Sequence, residues 1–575
     1  MTEFSWRTRR ENLTRLDRET FDIAIIGGGI TGAGLALDAV LRGLNTVLIE
    51  KRDFSAGTSS RSTKLIHGGL RYLEHYDFAM VREGLRERAI LTRIAPHLAE
   101  PFPFLVPVYR ESRRNYSHPI LMRAGMILYS LLAGRFGPGR HRKLSRAEAL
   151  EYAPGLDPEG LEGALLYYDG LTNDSRLVID LLKSAHREGA CLINHVKVTG
   201  LIRNDTGRLT GLTMSDQFGQ SALSCRARSI INATGVWMEE TLRLPGGNPG
   251  NIRKSVRPSK GVHLTIAAER LPVRGAWLIP SLVGHRFYFV VPWEGRVNIG
   301  TTDTDYDGSR ETPHAVGNEV TEILAAINSY FPGAMLEPAD VITSWAGLRP
   351  LISDPGVKNT TDISRQEEVI ESADGLISIA GGKLTTYRLM AENGIDLAQK
   401  RLFERGELEE TRRAVTTESR LCGGDLDRPA LAELACRMAD ENELPLATAE
   451  HLVFNYGSEA PRIIELSAGD ESLRRPLLAG LPHIAAEALY AVRYEMAMTL
   501  TDVMTRRTRL AMLAGSASLA AVEVVTGIIG RELGLGPEEL QRQIEEYRAE
   551  IRNEYETPVP PGTSSTIADQ NEVTR

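Results

Sequence analysis

The residue types that most directly imply chemistry lie near the start of the chain. Gly27, Gly29 and Gly32 form a G-x-G-x-x-G run between an apolar, strand-like stretch (residues 21–26) and a helical one (residues 33–42). In that setting the first glycine permits a tight turn. The second lets the backbone approach a pyrophosphate, and the third lets helix and strand pack closely. The helix N-terminus, with Ile30 and Thr31 in its first turn, attracts an anion. Glu50 closes the next strand about 20 residues on, where a carboxylate holds ribose hydroxyls and disfavours a 2′-phosphate. Lys51 follows it.

Two further glycine runs follow strand-like segments much later, Ala233-Thr234-Gly235 and Gly381-Gly382-Lys383. Residues 58–72 are rich in Ser, Thr and Gly, a composition suited to wrapping the pyrophosphate and ring of a flavin. A chain that returns to its nucleotide late favours FAD over NAD.

The elements that must position these groups follow from the pattern. Strand, glycine turn, helix and strand over residues 21–50 make one βαβ unit and imply a parallel sheet. Helices are expected over 79–94, 176–189 and 383–399. Strands are expected over 191–198, 229–232 and 375–380 and through much of 255–305. Beyond about residue 405 strand signals stop and Ala, Leu, Glu and Arg dominate. Helices are expected there near 428–440, 446–455, 483–512, 517–531 and 537–553. The resulting organisation is a discontinuous nucleotide-binding domain (15–100, 160–255 and 345–402), a β-rich substrate or cap domain (101–159 and 256–344), a C-terminal helical domain (405–555) and a disordered tail (556–575).

Composition sets limits. With 575 residues, 42% apolar and 25% charged, the chain is neither disordered nor a multi-span membrane protein. A net charge of −8 argues against nucleic acid as a partner. The four cysteines, Cys191, Cys225, Cys422 and Cys436, make no C-x-x-C pair and show no metal-ligand spacing, so neither a metal nor a disulfide scaffold is expected. Residues 1–20 hold five arginines and no apolar core, so no secretory signal is expected. No uncharged apolar run of membrane-spanning length is expected either; residues 119–134 come nearest, interrupted by Arg123.

Together these residues resemble one family. Gly27-Gly28-Gly29-Ile30-Thr31-Gly32-Ala33-Gly34 and Ser62-Thr63-Lys64-Leu65-Ile66-His67-Gly68-Gly69-Leu70-Arg71-Tyr72-Leu73 resemble FAD-dependent glycerol-3-phosphate dehydrogenase. So do Asn232-Ala233-Thr234-Gly235, Gly300-Thr301-Thr302-Asp303, Gly347-Leu348-Arg349-Pro350 and Gly381-Gly382-Lys383-Leu384-Thr385-Thr386-Tyr387-Arg388. The likeness runs from about residue 10 to about 550. Thr63, where a Ser is common, and Cys422, where a Pro often precedes two glycines, depart from the pattern.

The resemblance implies an α/β (α+β) protein: a Rossmann-like FAD-binding domain of D-amino-acid-oxidase type, a β-rich substrate domain and a helical C-terminal domain. It implies non-covalent FAD and oxidation of sn-glycerol 3-phosphate to dihydroxyacetone phosphate, by hydride transfer to flavin N5. Arg71, Arg349 and Arg365 are the implied phosphate ligands, since a guanidinium fork binds phosphate oxygens bidentately. His263 is the implied base, with His67 either sharing that role or orienting the flavin. Lys383 lies by implication near flavin and substrate. Ser62, Thr63, Lys64, His67, Gly69, Val198, Ala233, Gly235, Gly382, Leu384, Thr385 and Thr386 complete the implied FAD contacts.

The family also implies a membrane quinone as acceptor in a respiratory chain. Residues 110–143 fit this, with apolar stretches flanked by Arg110, Arg113, Arg114, Arg123, Arg135, Arg140, Arg142 and Lys143, a pattern suited to an anionic membrane surface. The expected location is cytoplasmic, attached peripherally to the inner face of the cell membrane. The helical domain is a candidate homodimer contact. Three alternatives stay open: a glycerol-3-phosphate oxidase using oxygen, an amine oxidase on the same fold, and a non-catalytic membrane flavoprotein sensor.

Overall fold

Short apolar runs, each closed by a glycine or a charged residue, build the first sheet. The computed structural model describes residues 3–69, 77–111, 115, 119–134, 139, 141–219, 221–248, 250, 254–282, 286–353 and 367–558. Strands Leu376–Ala380, Ala222–Asn232, Thr20–Ile26, Thr46–Ile49 and Cys191–Ile193 lie side by side and parallel. Thr46–Ile49 and Leu376–Ala380 are buried at every position, as expected of parallel strands covered on both faces. Antiparallel Glu368–Glu371 closes one edge, and Val196–Arg203 and Leu209–Asp216 extend Ala222–Asn232 to complete eight strands. Helices Ile30–Leu41, Asp174–Arg187 and Tyr387–Glu404 share one apolar core with this sheet. Close packing of the first and last depends on Gly34, where an added Cβ would stand 2.8 Å from the Tyr387 ring.

Register fixes where the loops emerge. Ile26 lies beside both Ile49 and Asn232, and Asn232 lies beside Ser378. The carboxyl ends of four parallel strands therefore open on one edge, and the loops leaving them begin with Gly27, Glu50, Ala233 and Gly381.

The second sheet has ten strands. Its long strand Ser255–Ala267 pairs with Val341–Ser353 on one side and Arg296–Gly300 on the other. The sheet continues through Phe287–Trp293, Ala276–Pro280, Ala99–Tyr109, Leu161–Thr172 and Leu65–Ile66. Ala99–Tyr109 carries Pro101, Pro103 and Pro107. It tolerates them because only Phe104 and Leu105 pair on its second side. The expected domain boundaries are corrected here. Residues 161–172 and 341–353 were divided between the domains or given to the nucleotide domain, yet both strands belong to the second sheet. Strand partnership is set by long-range register, which local pattern does not carry.

The C-terminal helices surround a core that also takes in Trp293 and Trp345 of the second sheet. The single helix expected over 483–512 is three pieces, Ala485–Tyr494, Asp502–Arg507 and Leu510–Ala514. Left-handed Met496 (φ 52°) and Arg509 (φ 59°) separate them. The breaks let Arg507 donate to the Glu495 carbonyl at 2.8 Å. One helical run, Leu510–Leu533, is long and apolar enough to cross a membrane, but it carries Glu523 and much of it lies in the core of the helical domain. An unexpected helix, Trp6–Arg18, precedes the first strand; its Arg9 reaches Asp216 at 2.6 Å. Most of the expected disordered tail lies outside the described residues, but Glu556 is held, its carbonyl accepting from Ser344 Oγ at 3.0 Å.

Candidate active site

At the carboxyl edge of the parallel strands lies a cavity of about 270 Å³. Gly27, Gly29, Ile30, Thr31, Glu50, Lys51, Val198, Ala233, Gly235, Gly382, Lys383 and Leu384 all line it. The glycines act by contact. Gly27 has φ +110°, and a Cβ there would stand 2.7 Å from the Ala233 carbonyl oxygen. At Gly32 a Cβ would come to 1.9 Å from the Gly27 carbonyl oxygen, so its bareness holds the helix against the turn. Gly29 caps helix Ile30–Leu41 with no side-chain bond, leaving its backbone open to the cavity. Glu50 is fixed by two amides, Gly28 N–H at 2.7 Å and Arg52 N–H at 2.8 Å.

This wall fits a dinucleotide: a glycine cradle that any side chain would fill, a helix N-terminus for the pyrophosphate and a fixed carboxylate for ribose. Local reasoning missed several wall residues. Thr58 and Ser59 lay in the run flagged for composition, whereas Trp237 and Glu311 gave no signal. Lys51 sits 4.0 Å over the Trp237 ring and pairs with Glu311. None of the four cysteines is in the wall, and burial pushes the Cys422 thiol up to about 11.

Five implied cofactor residues, Ser62, Thr63, Lys64, Thr385 and Thr386, have other side-chain partners in this structure. Asp174 accepts from Ser62 Oγ at 2.7 Å and from Lys64 Nζ at 2.6 Å. Burial lowers the Lys64 pKa despite that carboxylate, and the ammonium faces Trp345 at 5.1 Å rather than the cavity. Thr63 Oγ1 meets His263 Nε2 at 2.9 Å. Thr385 Oγ1 accepts the His67 N–H at 3.1 Å, and Thr386 Oγ1 donates to the Lys383 carbonyl at 3.4 Å. These groups hold loops in place; they do not face the cavity.

A second cavity, about 120 Å³, lies in the curl of the second sheet. His67, Gly69, Thr301, Thr302, Asp303 and Arg349 line it, with Asp169, Arg286 and an aromatic wall of Phe104, Tyr167, Phe287 and Phe289. The two cavities share the strand Val341–Ser353, with Arg349 in one and Pro350 in the other. Arg349 reaches Thr301 Oγ1 at 3.2 Å, the Thr302 carbonyl at 3.3 Å and Asp303 at 3.5 Å. Behind His67, the Asp169 carboxylate takes Arg88 at 2.6 Å and Tyr129 Oη at 2.7 Å, and Tyr129 Oη in turn accepts the Gly68 N–H at 2.9 Å.

His263, the implied base, lies behind the site. It lines neither cavity. Strand register sets it between Gly300 and Trp345, and its ring stacks on Trp345 at 4.1 Å. Burial first, then the Arg349 and Lys64 charges, hold its pKa well below 6.5. Of the two implied histidines, His67 is the one in the cavity wall. Arg71 and Arg365 lie outside the described residues. The pairing of a guanidinium, an imidazole and two threonines in a small cavity suits an anionic, hydroxylated small molecule.

Comparison with known proteins agrees with this geometry. Residues 22–388 match the family described as FAD dependent oxidoreductase, and residues 414–540 match the C-terminal domain of alpha-glycerophosphate oxidase. A probable mitochondrial glycerol-3-phosphate dehydrogenase of Caenorhabditis elegans is 37% identical, covering 95% of this chain and 75% of that protein. An alpha-glycerophosphate oxidase of Streptococcus pyogenes is 34% identical over 96% of this chain and 98% of its own. The solved glycerol-3-phosphate dehydrogenase of Bacillus halodurans, complexed with FAD, superposes with a TM-score of 0.78 at 32% identity, covering 96% of this chain and 98% of that one.

Proposed function

The chain belongs to the FAD-dependent glycerol-3-phosphate dehydrogenase and oxidase family, and from that premise we propose that it oxidises sn-glycerol 3-phosphate to dihydroxyacetone phosphate. The observation that carries this is the pairing of Arg349 and His67 in one small cavity, one strand away from the glycine cradle. FAD, when bound, supplies the two-electron acceptor for the hydride leaving C2. Gly27, Gly29, Ile30 and Thr31 would hold its pyrophosphate through backbone and helix N-terminus, and Glu50 would hold its ribose. Lys383, in the same wall, adds positive potential that favours the charge gained on reduction. Arg349 binds the substrate phosphate with its fork. His67 takes the proton from the C2 hydroxyl, its backbone fixed by Thr385. His263 contacts Thr63 Oγ1 behind the wall, and burial disfavours its protonation, which supports His67 as the base.

For the acceptor we favour a membrane quinone. Helix Pro119–Ala133 buries Tyr129 against Asp169 and turns Ile127, Leu131 and Arg123 outward. That face suits an anionic membrane surface, and it supports our proposal of a cytoplasmic enzyme attached to the inner face of the cell membrane. Four of the flanking cations, Arg113, Arg114, Arg135 and Arg140, lie outside the described residues. Oxygen is the second reading, favoured by the 34% identity to the streptococcal oxidase.

Anaerobic mixing of the yellow protein with sn-glycerol 3-phosphate tests the proposal. Rapid bleaching of the flavin band, far slower with glycerol and absent with glycine, is expected; oxygen and a soluble quinone added in turn then identify the acceptor. A protein saturated with FAD that fails to bleach overturns the substrate assignment.

A further inference from the structure

Segment 50–64 runs along the first cavity, with Ala56, Gly57, Thr58 and Ser59 in its wall. Its own domain holds its two ends, through Ser55 N–H on the Gly28 carbonyl at 2.9 Å and through Ser62 and Lys64 on Asp174. Asp53, fully buried, accepts from Arg506 Nε and Arg507 Nη1 on one oxygen, both at 2.6 Å. Its other oxygen accepts from Arg507 Nη2 at 2.9 Å and Asn194 Nδ2 at 3.2 Å. Farther along, Arg61 pairs with Glu554, both side chains buried. A Cβ on Gly347 would stand 2.4 Å from the Arg61 carbonyl oxygen, so the second sheet presses on the same point. Between the two pins, Ser59 Oγ accepts the Ile30 N–H at 2.9 Å and Thr58 Oγ1 donates to the Leu348 carbonyl at 2.6 Å.

Arg506, Arg507 and Glu554 all come from the C-terminal helical domain, none of whose residues lines the cavity. Removing one partner of a buried ion pair leaves an uncompensated charge, so such pins hold or release as units. Asp502 at 2.8 Å from Arg506 balances the second guanidinium, which makes the domain a preassembled receptor for Asp53.

We infer that the C-terminal helical domain is a positioning element for the cofactor: Arg506, Arg507 and Glu554 fix segment 53–61 as the wall of the first cavity, so that FAD binding and docking of this domain are thermodynamically linked. This rests on FAD occupying that cavity. Linkage is reciprocal, so a domain that tightens FAD must itself be tightened by FAD.

Two measurements on the full-length chain test it. FAD release from holoenzyme on dilution, followed by flavin fluorescence, is expected to be about five- to tenfold faster in Glu554→Gln and in Arg61→Gln. The double variant should release no faster than the worse single, since both break one pair. Hydrogen exchange of the unaltered chain, with FAD and after its removal by dialysis, needs no variant. FAD should slow exchange at 503–508 and 551–556 as well as at 51–61. Protection confined to 51–61 overturns the inference, as do release rates within twofold of the unaltered protein. Should a variant fail to fold, the exchange result alone decides. A Gly32→Ala chain that keeps full FAD affinity would instead overturn the cavity assignment, which separates the two failures.

Discussion

Replacing Arg349 gives the sharpest test of the substrate cavity. Its contacts with Ser259, Thr301, Thr302 and Asp303 all lie between 3.2 and 3.5 Å. Charge-assisted bonds are usually about 2.7–2.9 Å, so these are exchanged cheaply for phosphate oxygens. A hydrogen bond to a charged group contributes about 1.5–3 kcal/mol, and a fork supplies two. The side chain is 25% exposed, so solvent screening reduces the sum. About 2–3 kcal/mol is a reasonable net figure after that discount. Arg349→Ala should then lower the second-order rate of flavin reduction roughly 30- to 150-fold. Arg349→Lys keeps the charge but loses the fork, and should fall between, near tenfold. The assay is anaerobic stopped-flow bleaching at limiting sn-glycerol 3-phosphate, with flavin content matched. Glycerol provides the internal control because it lacks the phosphate. The ratio of the two rates should collapse in Arg349→Ala, mostly by loss of the phosphorylated substrate. An equal loss for both substrates, or a change under threefold, refutes the reasoning.

Three other outcomes are expected. His67→Asn should slow flavin reduction about 10²- to 10⁴-fold and remove the acid limb of the pH profile; His263→Asn should cost under tenfold, and the reverse order would make His263 the base. Gly32→Ala, with its Cβ 1.9 Å from a backbone oxygen, should purify colourless, a result read from the ratio of visible to ultraviolet absorbance. Burial lowers the His483 pKa from 6.5 to about 3, so the unfolded chain takes up the proton first. Stability is therefore intact above about pH 6.5 and falls as pH drops below it. At about 1.36 kcal/mol per unit, His483 withdraws about 2 kcal/mol by pH 5. Urea unfolding at pH 7 and pH 5 should show a shallower decline in His483→Leu; parallel declines would rule this out.

Much of the cofactor site was legible from local chemistry. Gly27, Gly29 and Gly32 act within six residues of chain, on the turn they themselves form. Glu50 and Gly381-Gly382-Lys383 follow strands whose apolar runs are equally local. Each of these side chains, or its absence, does its work within a few residues of its own backbone, so spacing alone identifies it. Where the phosphate ligands were implied by likeness, only Arg349 falls among the described residues.

Tertiary structure decided the rest. Sequence named His67 and His263 in similar surroundings, but strand register put one in a cavity wall and stacked the other on Trp345. Lys64, in a run that implied FAD contact, went to Asp174, 110 residues away. The 483–512 stretch reads as one helix by propensity, yet it breaks at left-handed Met496 and Arg509, and the piece between them carries Arg506 and Arg507 to Asp53. Helix propensity differs by under about 1 kcal/mol per residue among ordinary side chains, whereas an unpaired buried charge costs several. Local preference thus settles the elements around the glycine turns, but not helix Trp6–Arg18 or strands such as Ala99–Tyr109 and Leu161–Thr172. Which charges must meet in the dry interior settles where those elements break and which side chains are left to face the substrate.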